Sequence, residues 1–413
     1  MGEIKKIPGG VCAPKGFKAG GVACGIKASS KKRDLALIYS EKPCAAAAVF
    51  TTNKVKAASV LVSAEHVAGG ILRAVIANSG NANACTGEAG LAAARKMASL
   101  AADRLGIDSS QVAVASTGVI GVPLPIDVIE RNIGALADSL RADEAGHAAA
   151  LEAIMTTDTR KKEGAVEIEI EGKSVRIGGM VKGAGMIHPN MATMLCFITT
   201  DATISPRVLD SCLRQAVRRS FNRVTVDGDT STNDSVIIMA NGEAGNSPIA
   251  AGSASCEIFA GALEALCVDL ARATARDGEG ATKLVTVTVC GAADEDAAAT
   301  LAKAVASSSL VKAACFGADA NWGRVLCAMG YAGPDFNPGE VDVVFASAGG
   351  AGEEVQVCAA GASLPFSEED AKRILKRDEI EIRVKAGKGP GKATVWGCDL
   401  TYDYVKINGD YRS

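Results

Sequence analysis

A mixed α/β chain is the fold class this sequence predicts, and three observations carry the prediction. Short apolar runs have the length of strands, Ala- and Leu-rich stretches with helical spacing separate them, and glycines punctuate their ends. Residues 45–50 and 74–77 are apolar runs too short for helices and are read as buried strands. Residues 88–105 are rich in Ala and Leu, place Arg95 and Lys96 on a polar side, and stop at Gly106, which can close a helix in a left-handed conformation. A strand follows near residues 112–115. Residues 167–177 alternate on both sides of Glu171-Gly172, the pattern of a β-hairpin.

Beyond residue 200 the signals remain local. Ser205-Pro206 supplies an N-cap and a proline at the first helical position. Val208, Leu209, Cys212, Leu213, Ala216, Val217 and Phe221 then recur at three- and four-residue steps, the apolar stripe of a helix docked on a core. A second long helix is expected over 255–273 and a strand over 284–290, with the polar loop 276–282 between them. After residue 291 the pattern is α+β: a helix near 296–307, strands near 341–345 and 353–359, a helix opened by Ser367 with Asp370 as a variant capping box, and a strand over 379–384. These shifts place a domain boundary near residue 290, dividing the chain into 1–290 and 291–413.

Composition removes several function classes. The 413 residues are 48% hydrophobic and 22% charged, in keeping with a globular chain. A net charge of -3, from 44 basic and 47 acidic residues, gives no general phosphate-binding footprint, so no nucleic-acid partner is expected. No apolar run approaches the roughly 20 residues of a spanning helix, and the start Met1-Gly-Glu-Ile-Lys-Lys lacks the apolar core of a signal peptide; a cytoplasmic protein without membrane contact is expected. Thirteen cysteines lie between Cys12 and Cys398 without a C-x-x-C pair and with three histidines, His66, His147 and His188. That pattern predicts reduced thiols used as small hydrophobes and no zinc site. None of the histidines lies in a G-x-S-x-G elbow, so a Ser-His-Asp relay is not indicated.

The stretch from Met180 to Leu195 contains a glycine-rich, proline-containing approach to Thr193, which follows the small residue Ala192. A threonine so placed can attack the carbonyl before it. Cleavage would leave Thr193 with a free α-amine beside its own hydroxyl, a nucleophile with a built-in base. Read by itself, the segment equally fits a turn leading into a buried strand at 194–198. An acyl-transfer site also needs donors for a developing oxyanion, and Ala115-Ser-Thr-Gly-Val-Ile-Gly121, a strand end breaking into a glycine turn, offers Thr117 and Gly118. Ser-Thr-Gly alone also describes an ordinary turn.

Seven ordered segments together resemble the ornithine acetyltransferases, also called glutamate N-acetyltransferases. They are 49–53 (VFTTN), 78–87 (NSGNANACTG), 116–118 (STG), 182–193 (KGAGMIHPNMAT), 227–234 (DGDTSTND), 317–324 (GADANWGR) and 407–413 (INGDYRS). The resemblance implies self-cleavage between Ala192 and Thr193 into chains 1–192 and 193–413, with Thr193 as the residue acetylated and Thr117 and Gly118 as the oxyanion hole. Thr156, Lys182, Thr193, Glu279, Asn408 and Ser413 match positions that hold the substrate. Lys182 suits the α-carboxylate shared by N-acetylornithine and glutamate, and Glu279 suits an ammonium group.

The resemblance further implies a four-layer arrangement of two sheets between helices, similar to N-terminal-nucleophile hydrolases but differently connected, followed by a smaller C-terminal α+β domain. It implies two α and two β chains per assembly, a covalent acetyl-enzyme that requires no cofactor, and a place in the arginine pathway. Whether acetyl-CoA also donates is left open by the sequence. The rival readings are a hydrolase of the related self-cleaving aminopeptidases, with water as acceptor, and an uncut amino-acid binding protein.

Other clusters point elsewhere. Asp227, Asp229, Asn233 and Asp234 crowd oxygen atoms into one loop but do not fit the calcium-loop spacing, and a hydrogen-bonded turn is expected. Cys85, inside 78–87, has no neighbouring base in the sequence, so a structural Asn-rich turn is expected there. Residues 178–185 lack the spacing and Lys-Ser/Thr ending of a phosphate loop.

Overall fold

The strand-length runs of the first half assemble into one large sheet. In the computed structural model, which describes residues 3–27, 31–188, 194–347 and 352–410, the chain forms two compact units. The first comprises Met1–Gly183, Pro189–Asn222 and Thr230–Leu270; the second comprises Ala184–His188, Arg223–Asp229 and Ala271–Ser413. The division therefore falls near 270 rather than near 290. Residues 284–290 pair with strands at 379–385 and 391–398, and this pairing carries them into the second unit.

The first unit contains β1 (Lys5–Ile7), β2 (Phe17–Val22), β3 (Leu35–Phe50), β4 (Ile71–Asn81), β5 (Val112–Val119), β6 (Lys162–Ile170), β7 (Lys173–Lys182), β8 (Leu195–Thr200) and β9 (Ser235–Ala240). Their order is β1-β6-β7-β8-β9-β3-β4-β5, with β2 also on β3; β4–β5 and β8–β9 run parallel and the other pairs antiparallel. Helices α1 (Ala58–Val67), α2 (Gly87–Leu105) and α3 (Ile126–Asp138) supply Val62, Met97 and Leu136 against Leu35, Leu37, Ala74, Ile76, Val112 and Val114. The alternate residues Ala36, Ile38, Val75, Ala77, Ala113 and Ala115 pack instead with Leu151 and Ile154 of α4 (Glu144–Ile154). Burial on both faces explains why 74–77 and 112–115 are continuous apolar runs without alternation.

The local signals hold at the chain reversals. Glu171 and Gly172 both take left-handed backbone, φ 49° and 74°, and close the β6–β7 hairpin with the two-residue turn that suits strand twist. Gly106 ends α2 at φ 66°. Ser205 caps α5 (Pro206–Arg219) by accepting from Val208 N. The long helix α6 (Ala254–Arg276) lies close over the hairpin: a Cβ at Gly179 would sit 3.1 Å from a Leu270 methyl, and one at Gly164 would sit 3.0 Å from Leu266.

The second unit holds a six-stranded sheet of β10 (Leu284–Ala292), β11 (Asp342–Ser347), β12 (Glu354–Ala359), β13 (Ala362–Ser363), β14 (Glu379–Lys385) and β15 (Gly391–Cys398), in the order β13-β12-β11-β14-β10-β15. Its helices are α7 (Glu295–Ser307), α8 (Ser309–Gly317), α9 (Trp322–Gly330), α10 (Glu368–Leu375) and α11 (Tyr402–Gly409). Val285, Val287, Val289, Ile380, Ile382 and Val384 pack with Leu301, Val305, Val325 and Leu375. The other face is polar, with Thr288 Oγ1 donating to Glu381 at 3.1 Å. Ser367 accepts from Asp370 N at 3.1 Å, as the capping pattern anticipates.

The described residues thus form a mixed α/β protein with two sheets and eleven α-helices. None of those helices is long and apolar enough to cross a membrane. All thirteen cysteines are free thiols, and the seven buried ones pack as small hydrophobes. Burial pushes the Cys44 and Cys315 thiols up to about 12.

Candidate functional site

Four of the segments singled out in the sequence meet in the first unit. Thr51 Oγ1 donates to Ser231 O at 2.8 Å, and Ala57 N donates to Thr232 O at 2.9 Å. Asn233 Nδ2 reaches both Ala82 O at 2.6 Å and Ser116 O at 2.7 Å, stitching the Asn-rich turn to the end of β5. Within that turn Asn83 Nδ2 donates to Gly90 O at 3.0 Å and Thr86 Oγ1 donates to Asn83 Oδ1 at 2.8 Å. Asn83 and Cys85 both have left-handed backbone, φ 47° and 57°, and the loop is the structural turn the sequence suggests.

Thr117 and Gly118 stand at the end of β5, where the ladder with β4 is irregular around Gly80 and Asn81. Such irregularities re-aim side chains at strand ends. Gly118 has φ 134°, and a Cβ there would lie 2.3 Å from Gly80 C, so only glycine fits. From the end of β7, Lys182 extends its ammonium to Thr117, Nζ to Oγ1 3.2 Å, with the lysine 8% exposed. Two residues 65 apart in the chain therefore share one spot.

Thr156 sits in the turn between α4 and β6 and belongs to the same cluster through Asp158. The Asp158 carboxylate accepts from Thr156 N at 2.9 Å and from Gly183 N at 2.7 Å, and it pairs with Lys162 Nζ at 2.7 Å; neither side chain of that pair is more than 1% exposed. Burial alone would raise the Asp158 pKa, but the charges of Lys182 and Lys162 outweigh it and hold the carboxyl well below its usual range. Sequence reasoning passed over Asp158 because no spacing marks it; its role depends on where β7 ends.

Asp234 behaves oppositely. It is 2% exposed, and its Oδ2 has no hydrogen-bond partner among the described residues. Burial pushes its carboxyl well above the usual range, against the opposing hydroxyl of Ser231 and the charge of Lys182. Ala192 and Thr193 lie outside the described residues. The described chain resumes at Met194, whose carbonyl accepts from Ser235 N at 2.9 Å as β8 begins beside β9.

In the second unit, Glu279 occupies a glycine-flanked loop. Its N–H donates to Ala184 O at 2.9 Å, and its carboxylate accepts from Asn408 Nδ2 of α11 at 2.8 Å. A Cβ at Gly185 would come within 2.5 Å of both Glu279 carboxylate oxygens, so this glycine makes room for the acid. Asp227 receives Met186 N at 2.6 Å, Ile187 N at 2.8 Å and Asp229 N at 3.2 Å, a hydrogen-bonded turn that fixes the segment after Ala184. Burial raises its carboxyl. The four oxygen-bearing residues of that loop divide between units, Asp227 and Asp229 in the second, Asn233 and Asp234 in the first. Thr401 Oγ1 closes the Glu279 loop by donating to Gly280 O at 2.7 Å. Ser413 lies outside the described residues.

The structure therefore groups Thr117, Gly118, Thr156 and Lys182 in one unit and Glu279 with Asn408 in the other. The first group combines a hydroxyl, a glycine at a strand end and an ammonium, which suits a carbonyl or carboxylate. The second presents a carboxylate, which suits an amine.

Comparison with known proteins identifies the family of the chain. The ArgJ family model matches residues 18–413. The chain is 54% identical over 408 residues to the arginine biosynthesis bifunctional protein ArgJ of Symbiobacterium thermophilum, covering 98% of this chain and 99% of that one. It is 50% identical over 397 residues to ArgJ 1 of Clostridium acetobutylicum, covering 96% of each. A solved ornithine acetyltransferase from Mycobacterium tuberculosis, in complex with ornithine, is 44% identical with a TM-score of 0.44, covering 46% of this chain and all of that one. With matches spanning nearly its full length, the chain belongs to the ArgJ family.

Proposed function

We propose that the chain is an acetyltransferase of arginine biosynthesis that moves an acetyl group from N-acetylornithine to glutamate through an acetyl-Thr193 ester. The observation that carries the proposal is the contact of Lys182 with Thr117 at the end of β5, beside a glycine that tolerates no side chain, in a chain of this family. The family membership supports the activity; the site geometry supports the assignment of roles.

Maturation begins with attack of Thr193 Oγ on the Ala192 carbonyl. The peptide C–N bond breaks, the acyl group passes to oxygen, and water hydrolyses that ester to leave chains 1–192 and 193–413. The new α-amine has an ordinary pKa of about 8, so part of it is neutral and basic at neutral pH. In turnover, Thr193 Oγ attacks the acetyl carbonyl while the α-amine takes the hydroxyl proton. Thr117 and the Gly118 N–H stabilise the oxyanion, the amide C–N bond breaks, and the proton passes to the departing ornithine amine. The glutamate amine then attacks the ester, and the proton it loses returns to Thr193 Oγ by way of the α-amine. Lys182 and Thr156 hold the α-carboxylate common to both substrates, Glu279 and Asn408 hold the ornithine side-chain ammonium, and Ser413 completes the set. No cofactor takes part. Whether acetyl-CoA also loads Thr193 is a matter of donor choice at the same ester. The assembly follows as two α and two β chains in the cytoplasm.

The test is a product assay with N-acetyl-labelled ornithine and glutamate. Labelled N-acetylglutamate, formed with ornithine in equal amount, is the expected result. Labelled acetate formed at the same rate with and without glutamate would replace the reading with a hydrolase.

A further inference from the structure

The mechanism leaves unexplained a fully buried ion pair bonded to the backbone beside Thr156 and Lys182. Asp158 and Lys162 are buried to 0% and 1% side-chain exposure, and such pairs rarely repay their desolvation through stability alone. Here the carboxylate has further bonds. It takes Thr156 N and Gly183 N, one residue carrying the proposed substrate hydroxyl and the other directly following Lys182. Its third partner, Lys162, begins β6, which pairs with β7 so that Lys162 faces Val181. One carboxylate thereby fixes two backbone segments that nothing in the sequence connects.

We propose that Asp158 is a positioning residue for recognition of the substrate α-carboxylate, setting the spacing between Thr156 and Lys182. The inference rests on the acetyl-transfer reading of this site. Its consequence is specific: loss of the carboxylate should loosen substrate binding more than it slows chemistry, because Thr117 and Gly118 are placed by β5, whose Ser116 carbonyl is held by Asn233, and make no bond to Asp158. It should also remove a negative charge near Lys182, so that the Lys182 ammonium loses its proton at lower pH.

The experiment compares wild type and Asp158→Asn, both shown to be folded by circular dichroism, in N-acetylornithine-to-glutamate transfer across pH. The expected result is a KM for N-acetylornithine raised by about tenfold or more, a kcat within about threefold of wild type, and a basic limb of kcat/KM displaced to lower pH. A folded variant with wild-type KM and an unmoved basic limb would overturn the proposal. Should Asp158→Asn not fold, Lys162→Gln decides, since it keeps the carboxylate and both N–H bonds: KM within about threefold supports the positioning role, whereas a tenfold rise assigns the effect to the ion pair itself and overturns it. Absence of transfer by the wild type would instead sink the functional reading on which the inference stands.

Discussion

The two groups of candidate residues are built in contrasting ways. Thr117, Gly118 and Lys182 stand at strand ends of a sheet buried on both faces, and a carboxylate with no solvent exposure ties the Thr156 turn to the end of β7. Glu279 rests on a loop, and its side-chain partner Asn408 comes from α11, whose Tyr402 and Val405 are 84% and 69% exposed. A site on strand ends is preorganised by the core, while one built on a chain-terminal helix depends on that helix staying docked. Chemistry that tolerates no misplacement is therefore expected from the first group, and substrate choice from the second.

Substitutions can break this contrast. The largest effect is expected at the oxyanion donor: Thr117→Ala should lower kcat by about 10²- to 10³-fold with little change in KM. Lys182→Met should cost about 30- to 10³-fold in kcat/KM, mainly through KM, because a carboxylate loses its charged partner. Asn408→Ala should cost about tenfold or less for N-acetylornithine. If Asn408→Ala exceeded Thr117→Ala in its effect on kcat, the division of labour would be reversed.

The two buried aspartates near Lys182 offer a sharper version of the comparison. Asp158 has a lowered carboxyl pKa, so its contribution to stability is present above the unfolded-state value and is lost as pH falls through the folded one. Asp234 has a raised pKa, so keeping its carboxyl buried opposes folding at neutral pH, and that penalty shrinks as pH falls below the raised value and is gone below the unfolded-state one. Denaturant melts at neutral pH should show Asp158→Asn destabilised by about 3–5 kcal/mol and Asp234→Asn unchanged or more stable. Equal losses at both positions would contradict these opposite shifts. The smallest effect belongs to the periphery: Gly106→Ala, in open space at φ 66°, should cost only about 1 kcal/mol of backbone strain and leave kinetics untouched.

Features governed by neighbours in sequence were legible before the structure. The β6–β7 hairpin, the Gly106 stop and the Ser205 cap are local chemistry, and each stands where the residues indicate. Helix α4 carried a signal that was passed over, since Asp143 caps it by accepting from Gly146 N at 3.0 Å. Helix α1 gave less to read: its N-cap is Ala57, with no side-chain hydrogen bond. The candidate site divides in the same way. Thr117 and Lys182 were visible as residue types beside glycines, but their meeting depends on how β5 and β7 are placed within one sheet. Asp158 was invisible because its bond to Gly183 N spans 25 residues of chain. The unit that β10 joins could not be read for a related reason: its alternation is the same whichever unit it joins, and only its pairing with β14 and β15 decides.

The central claim is that Thr193, freed by cleavage, carries the acetyl group. Intact-mass spectrometry of purified protein under denaturing conditions, before and after N-acetylornithine, tests it directly, with Thr193→Ala alongside. The account predicts two chains from wild type, the second beginning Thr-Met-Leu and gaining one acetyl group at its first residue, and a single unmodified chain from Thr193→Ala. An active wild type that remains one chain, or an acetyl group carried by any other residue, would contradict it.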